Sequence, residues 1–147
     1  MIKKQERAAR SIGRNLPISA KQCIEICAFL KGKRLDAAIA TMKRVIQKKQ
    51  AVPFRRFVNG LGHKPGNMAA GRYPVKSSGE ILKLLENAKA NATNQGLTGE
   101  LRITHMAANR ASNPMRNRLK ERNAFKRTHV EVVVTEQSEP SAKTAKE

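Results

Sequence analysis

The chain has no Trp, one Tyr and four Phe among its 147 residues. Its core must be built from Leu, Ile, Val, Ala and Met, which suits one small body. Cysteine is as scarce: Cys23 and Cys27 are the only two. Side chains four apart on a helix share a face, so the pair reads as two small buried hydrophobes and not as a disulfide framework. The three His (His63, His105, His129) are scattered without ligand spacing, and no metal site is expected. Asp36 is the only aspartate, and the Glu residues sit mostly at helix caps or on polar helix faces. No nucleophile, base or paired-carboxylate constellation results, so no catalytic residue, no enzyme activity and no cofactor are expected. Gly60, Gly62 and Gly66 fit neither G-x-G-x-x-G nor G-x-x-x-x-G-K-[ST], which removes nucleotide cofactors and substrates. No apolar run reaches membrane-spanning length and no secretory segment is visible, so a cytoplasmic location is expected.

Positive charge, in contrast, is abundant. Thirty Lys and Arg face eleven Asp and Glu, for a formal net charge of +19, and the pI is near 10.9. A compact chain so charged repels itself unless a polyanion neutralises it, and a phosphate backbone is the expected partner. Charge alone does not separate RNA from DNA, and it also fits an anionic membrane. The excess runs through periodic and irregular segments alike, and only residues 128–147 carry more acids than bases. The last residues, "QSEPSAKTAKE", offer nothing apolar to bury and read as a disordered tail over 137–147.

Three helices are predicted. Ser19 and Gln22 have capping-box spacing, and Cys23, Ile26, Cys27 and Leu30 recur at helical intervals until Gly32, giving a helix over about 20–31. Leu35, Ala38, Ile39, Met42 and Ile46 form the stripe of the second, with Lys and Arg at its C-terminal end as the helix dipole favours. Ser77 with Glu80 marks a second capping box, and Ile81, Leu84, Leu85, Ala88 and Ala92 carry a third helix over about 78–95, ending at Gly96. Strands are predicted at residues 7–16, where Ala8, Arg10, Ile12 and Arg14 share a face and Gly13 weakens the pattern. Two more follow, "GELRITHMAANRA" with Leu101, Ile103, His105 and Ala107 on one face and "RTHVEVVVTE" with Thr128, Val130, Val132 and Val134.

Two basic stretches resist this scheme. "AVPFRRFVNGLGHKPGNMAAGRYPVK", residues 51–76, has no acid and no periodicity, and reads as a long irregular loop. Phe54, Phe57 and Tyr73 bracket it, either stapling it to the body or stacking on bases. "SNPMRNRLKERNAFKR", residues 112–127, joins the last two strands with six cations against Glu121 alone. It is far longer than the two to five residues of an ordinary hairpin connection.

Taken together, "ISAKQCIEICAFLKGKRLDAAIATMKRVI", the loop pattern within "VPFRRFVNGLGHKPGNMAAGRYPVKSSGEILKLLENAKANATNQGL", "LRITHMAANRA" and "RTHVEVVVTE" resemble the large-subunit ribosomal protein twenty-two family. The likeness is to its archaeal and eukaryotic type, whose eukaryotic counterpart is numbered seventeen, and covers about residues 7–136. It implies an α+β fold, with three helices packed on a small antiparallel sheet and a long basic β-hairpin extension over about 100–136, within a single domain spanning 1–136. It implies a structural constituent of the large ribosomal subunit that binds large-subunit (23S-type) rRNA, supports its folding and assembly, and lines the nascent polypeptide exit tunnel with its hairpin. Neighbouring ribosomal proteins and the nascent polypeptide are then further partners. On this likeness Arg110, Arg116, Arg118, Lys120, Arg122, Lys126 and Arg127 are expected to contact rRNA from the hairpin, with Arg116, Arg118 and Arg122 at its tip. Arg55, Arg56, His63, Lys64 and Arg72 are expected to do so from the loop, the alternative for each being a solvated charge. The tip departs from the family in lacking Gly, and its composition tolerates a helical turn. A basic architectural DNA-binding protein is the competing reading, since basic β-arms also serve the minor groove.

Overall fold

In a computed structural model, residues 8–97, 99–115 and 124–137 are described. The order is β1 (Ala8–Leu16), α1 (Ala20–Leu30), α2 (Leu35–Ile46), β2 (Val52–Pro53), β3 (Gly71–Arg72), α3 (Val75–Asn94), β4 (Glu100–Arg110) and β5 (Thr128–Gln137). This is the expected α+β arrangement. β1, β5 and β4 form an antiparallel sheet in that order, and α1 and α3 pack on one of its faces.

β5 lies at the centre because its alternation is the cleanest: Val130, Val132 and Val134 are fully buried. β1 presents small residues inward, Ala9, Ser11 and Gly13, and turns Arg10, Ile12 and Arg14 to solvent. Gly13, which weakens the strand on propensity grounds, is there for contact. A Cβ on it would stand 2.8 Å from Leu16 Cδ1 and 2.9 Å from Leu84 Cδ1 of α3. In β4 the simple alternation fails. Thr104 is an extra residue in the ladder, because Ile103 pairs with Val134 and His105 with Val133. A bulge of this kind switches faces, so Ile103 and Met106 are buried while His105 is exposed, contrary to the expected shared face.

α1 lies close to its predicted bounds and α2 forms where its stripe was expected, although the buried face of α2 is rotated toward Thr41 and Val45, leaving Ile39 and Ile46 half-buried. Neither capping box forms. Ser19 is the N-cap of α1 but makes no side-chain cap bond, and Ser77 lies inside α3, which begins earlier than predicted, at Val75 after Pro74. The Ser77 hydroxyl donates instead to Gln22 Oε1 at 2.9 Å, so two predicted cap residues join α3 to α1. The far end of α3 is a Schellman turn: Leu97 N–H donates to Ala92 O and Gly96 N–H to Thr93 O, with Gly96 at φ 72°. Cys23 and Cys27 are buried, as their spacing suggests. Burial pushes the Cys23 thiol up to about 11, partly offset by Ser77, and burial together with Cys23 pushes Cys27 up to about 12.

The turn between α1 and α2 closes the free edge of β4. Gly32 N–H donates to Ile103 O at 2.9 Å and Ile103 N–H to Lys33 O at 3.0 Å, beside an Arg34–Glu100 ion pair at 2.7 Å. At the opposite end the β1–β5 and β4–β5 pairings stop at the same residue, Thr128, but the two segments stay together beyond it: Ala111 N–H donates to Arg127 O at 3.0 Å, Phe125 N–H donates to Pro114 O at 2.9 Å, and an isolated Met115–Ala124 bridge lies farther out. This is the base of the expected arm. Residues 116–123, and with them Arg116, Arg118, Lys120 and Arg122, lie outside the described residues; of the tail expected over 137–147, Gln137 is instead the last residue of β5 and the rest lies outside the described residues as well. Among the described residues no helix is long and apolar enough to cross a membrane, and no group of three or more His, Cys, Asp or Glu could hold a metal ion.

Candidate nucleic-acid interface

The loop expected to be irregular over 51–76 is fastened at its base. Val52 pairs with Arg72 and Pro53 with Gly71, and a His63–Ala70 bridge closes it farther out. Phe54 is 6% exposed and joins the core, so it staples the loop. The main restraint is Glu25, a residue the sequence did not single out. It sits on α1 with 3% exposure. Its Oε1 accepts the N–H groups of Arg56 and Phe57, both at 2.8 Å, and its Oε2 accepts that of Arg55 at 3.1 Å. Charge-assisted bonds of this type are among the stronger ones. The backbone that carries Arg55 and Arg56 is thereby held while their side chains remain exposed.

Three adjoining clefts bring this loop against the start of α1 and the base of the arm. One of about 410 Å³ is lined by Lys21, Phe54, Arg56, Phe57, Val58, Arg72 and Lys126 among others. A second, of about 370 Å³, includes Lys21, Arg110, Lys126 and Arg127. The third, about 550 Å³, lies between Ser19, Lys76, Phe125, Lys126 and Arg127. Ser19 and Lys126 belong to all three, and among the described residues no Asp or Glu lines any of them. Five of the expected contacts, Arg56, Arg72, Arg110, Lys126 and Arg127, thus face one connected basic surface. Arg127 is partly committed within the fold, donating to Asn15 O at 3.1 Å. Arg55, His63 and Lys64 do not line these clefts. His63 is exposed, and the Lys64 ammonium lies 5.6 Å from the centroid of Tyr73.

Lys21 and Lys76 complete the surface, and sequence reasoning missed both. A signal was available. Each stands in the first turn of its helix, and neither α1 nor α3 carries an acid there. The helix dipole favours anions at that end, by about 0.3–1 kcal/mol at exposed positions. Two cations placed against this preference raise the local positive potential where main-chain N–H groups already point outward.

The sequence comparisons agree with this geometry. Residues 11–135 match the family described as ribosomal protein L22p/L17e. The chain is 47% identical over 108 residues to the large ribosomal subunit protein uL22 of Methanocaldococcus jannaschii, covering 71% of this chain and 69% of that one. It is 49% identical over 107 residues to the protein of the same name from Methanococcus aeolicus, covering 71% and 70%. The corresponding protein of Methanosphaera stadtmanae is 43% identical over 111 residues, covering 74% and 72%.

Proposed function

Because the chain belongs to the ribosomal protein L22p/L17e family, we propose that it is a structural constituent of the large ribosomal subunit, held there by large-subunit rRNA. The role is to bind and brace RNA, and no reaction is assigned to it. One observation carries the reading at the level of residues: cations from the loop, from two helix starts and from the arm base converge on clefts that no carboxylate lines among the described residues. Arg fits such work because its planar fork grips phosphate with two bonds and also stacks on bases. Arg55, His63 and Lys64 extend the contact outward along the loop.

The arm extends the reading further. A two-stranded ribbon is marginal in water without other strands, and here the two segments meet again, at a Met115–Ala124 bridge, beyond Thr128 where the β1 pairing stops. In this proposal the ribbon threads into the RNA, with Lys120 contacting it and Arg116, Arg118 and Arg122 reaching the exit tunnel beside the nascent chain. Neighbouring ribosomal proteins complete its surroundings.

Gradient sedimentation of a lysate, with fractions washed at rising salt and probed for the protein, tests the proposal. Retention on the large subunit after a wash that strips loosely held basic proteins is the expected result. Migration with DNA, or loss from every ribosomal fraction at low salt, would favour the architectural DNA-binding reading.

A further inference from the structure

Among the three clefts, the one between the loop and α1 is not merely basic. Its floor is apolar, with Phe54, Phe57, Val58 and Leu61, inside a rim of Lys21, Arg56, Arg72 and Lys126. A surface that only tracks phosphates has no use for such a floor. Val58 is 47% exposed and Phe57 is half-buried, in a chain with only five aromatic residues to supply its core. Phe57 thus packs against the core on one side and leaves part of its ring open to a ligand on the other.

We infer that this cleft seats a single unpaired nucleotide of RNA, its base against Phe57 and its flanking phosphates on the cationic rim. The inference rests on the RNA-binding reading above. Base faces stack on aromatic rings and on guanidinium planes, and only an unpaired base can be turned out to reach a recessed ring. The cleft's volume, about 410 Å³, lies within the range of about 300–1,000 Å³ usual for small-ligand sites. The Lys21 ammonium and the Arg56 guanidinium lie over the Phe57 ring, 5.7 and 5.5 Å from its centroid, so a base that stacks there takes the place of at least one of them and leaves that cation to meet a flanking phosphate. The wall is also set in advance: Glu25 holds the main-chain N–H of Arg55, Arg56 and Phe57, which lowers the ordering cost of binding.

The test uses isotope-labelled full-length protein, followed by its amide and methyl signals. It is titrated with a tetranucleotide of adenosines, with the same tetramer made abasic, and with inorganic tripolyphosphate. The intact tetramer is expected to shift the Phe57, Val58 and Leu61 signals, whereas the other two shift chiefly Lys and Arg neighbours. Phe57→Leu should weaken the tetramer by about tenfold, as loss of one base–aromatic stack does, and leave tripolyphosphate binding unchanged. Val58→Glu alters an exposed position and places a carboxylate in the cleft, so it should weaken both the tetramer and tripolyphosphate without disturbing the fold. Equal shifts of the floor residues by abasic and intact tetramers, or Phe57→Leu and Val58→Glu variants that bind the tetramer like the parent, would overturn the inference. Binding of deproteinised large-subunit rRNA by the parent protein is measured alongside. Its failure would overturn the RNA reading as well, whereas its success with an unresponsive floor would overturn only the nucleotide site.

Discussion

Burying a carboxylate costs several kcal/mol unless donors meet its oxygens, and at Glu25 three main-chain N–H groups meet them. Glu25→Gln keeps the shape but turns an amide NH₂ toward N–H donors. We expect a loss of about 1–3 kcal/mol in urea unfolding, with faster amide exchange at Arg55, Arg56 and Phe57 than in the helices. Unchanged exchange at those amides would show that the loop is held by its β2–β3 pairing alone. The thiols give a pH signature. Both keep their protons to higher pH in the fold, about 11 for Cys23 and about 12 for Cys27 against 9.0 when unperturbed. Their contribution to stability is therefore complete below pH 9 and lost as pH rises through the folded values. Lys33 works in the opposite direction: burial, with Arg44 beside it, lowers its value below 10.5, so its unfavourable charge is relieved as pH rises. A Cys27→Ala variant should show a shallower alkaline loss of stability between pH 9 and 11 than the parent, whatever its offset at neutral pH. Spacing alone made the cysteines legible as buried. Glu25 was not legible, because a glutamate on a helix looks the same in sequence whether solvent or a distant loop meets it.

The helices were read from their apolar stripes because burial in α1, α2 and α3 follows the helical period over several turns. Local hydrogen-bond signals transferred less well. Ser19, Gln22 and Ser77 have capping-box spacing, yet Gln22 accepts from Ser77 across two helices, a tertiary bond that competes with the local one and leaves no trace in spacing. The bulge at Thr104 was equally invisible, since one extra residue reverses every inward assignment beyond it while β-propensity stays the same. In the arm, composition pointed to an excursion, and the pairing does continue outward from Arg110 and Thr128. The hydrophobic core is drawn from α1–α3, the three-stranded sheet, Ile18 and the base of the 51–76 loop, and takes nothing from the arm among the described residues. Replacing Arg116, Arg118 and Arg122 together by Glu is accordingly expected to leave the melting temperature of the free protein lowered by no more than a few degrees, while rRNA binding weakens. A cooperative collapse of the circular dichroism signal would mean that the stretch belongs to the body. Residues 113–125, most of them outside the described residues, should exchange their amides rapidly in the free protein; strong protection there without RNA would count against an arm that orders on RNA.

A net charge of +19 makes salt act on the molecule in two opposite ways. In the free protein, ions screen repulsion among the cations, which are drawn together around clefts that no carboxylate lines among the described residues. The melting temperature should therefore rise between low and moderate salt. In the complex with RNA the phosphates have displaced the ions, so added salt favours dissociation through counterion release. The logarithm of affinity should fall linearly with the logarithm of salt, each neutralised phosphate adding about 0.7 to 0.9 to the slope. Replacing Arg56, Arg72 and Lys126 by Gln removes three rim cations and should lower that slope by about 2 to 3. The same variant should melt higher than the parent at low salt, because the repulsion it relieves is no longer opposed by RNA. Weakened binding with an unchanged slope would mean that these side chains support the fold and do not face phosphate. A lower slope without a gain in free-protein stability would place them too far apart to repel one another, and would leave the basic surface to form only around its RNA.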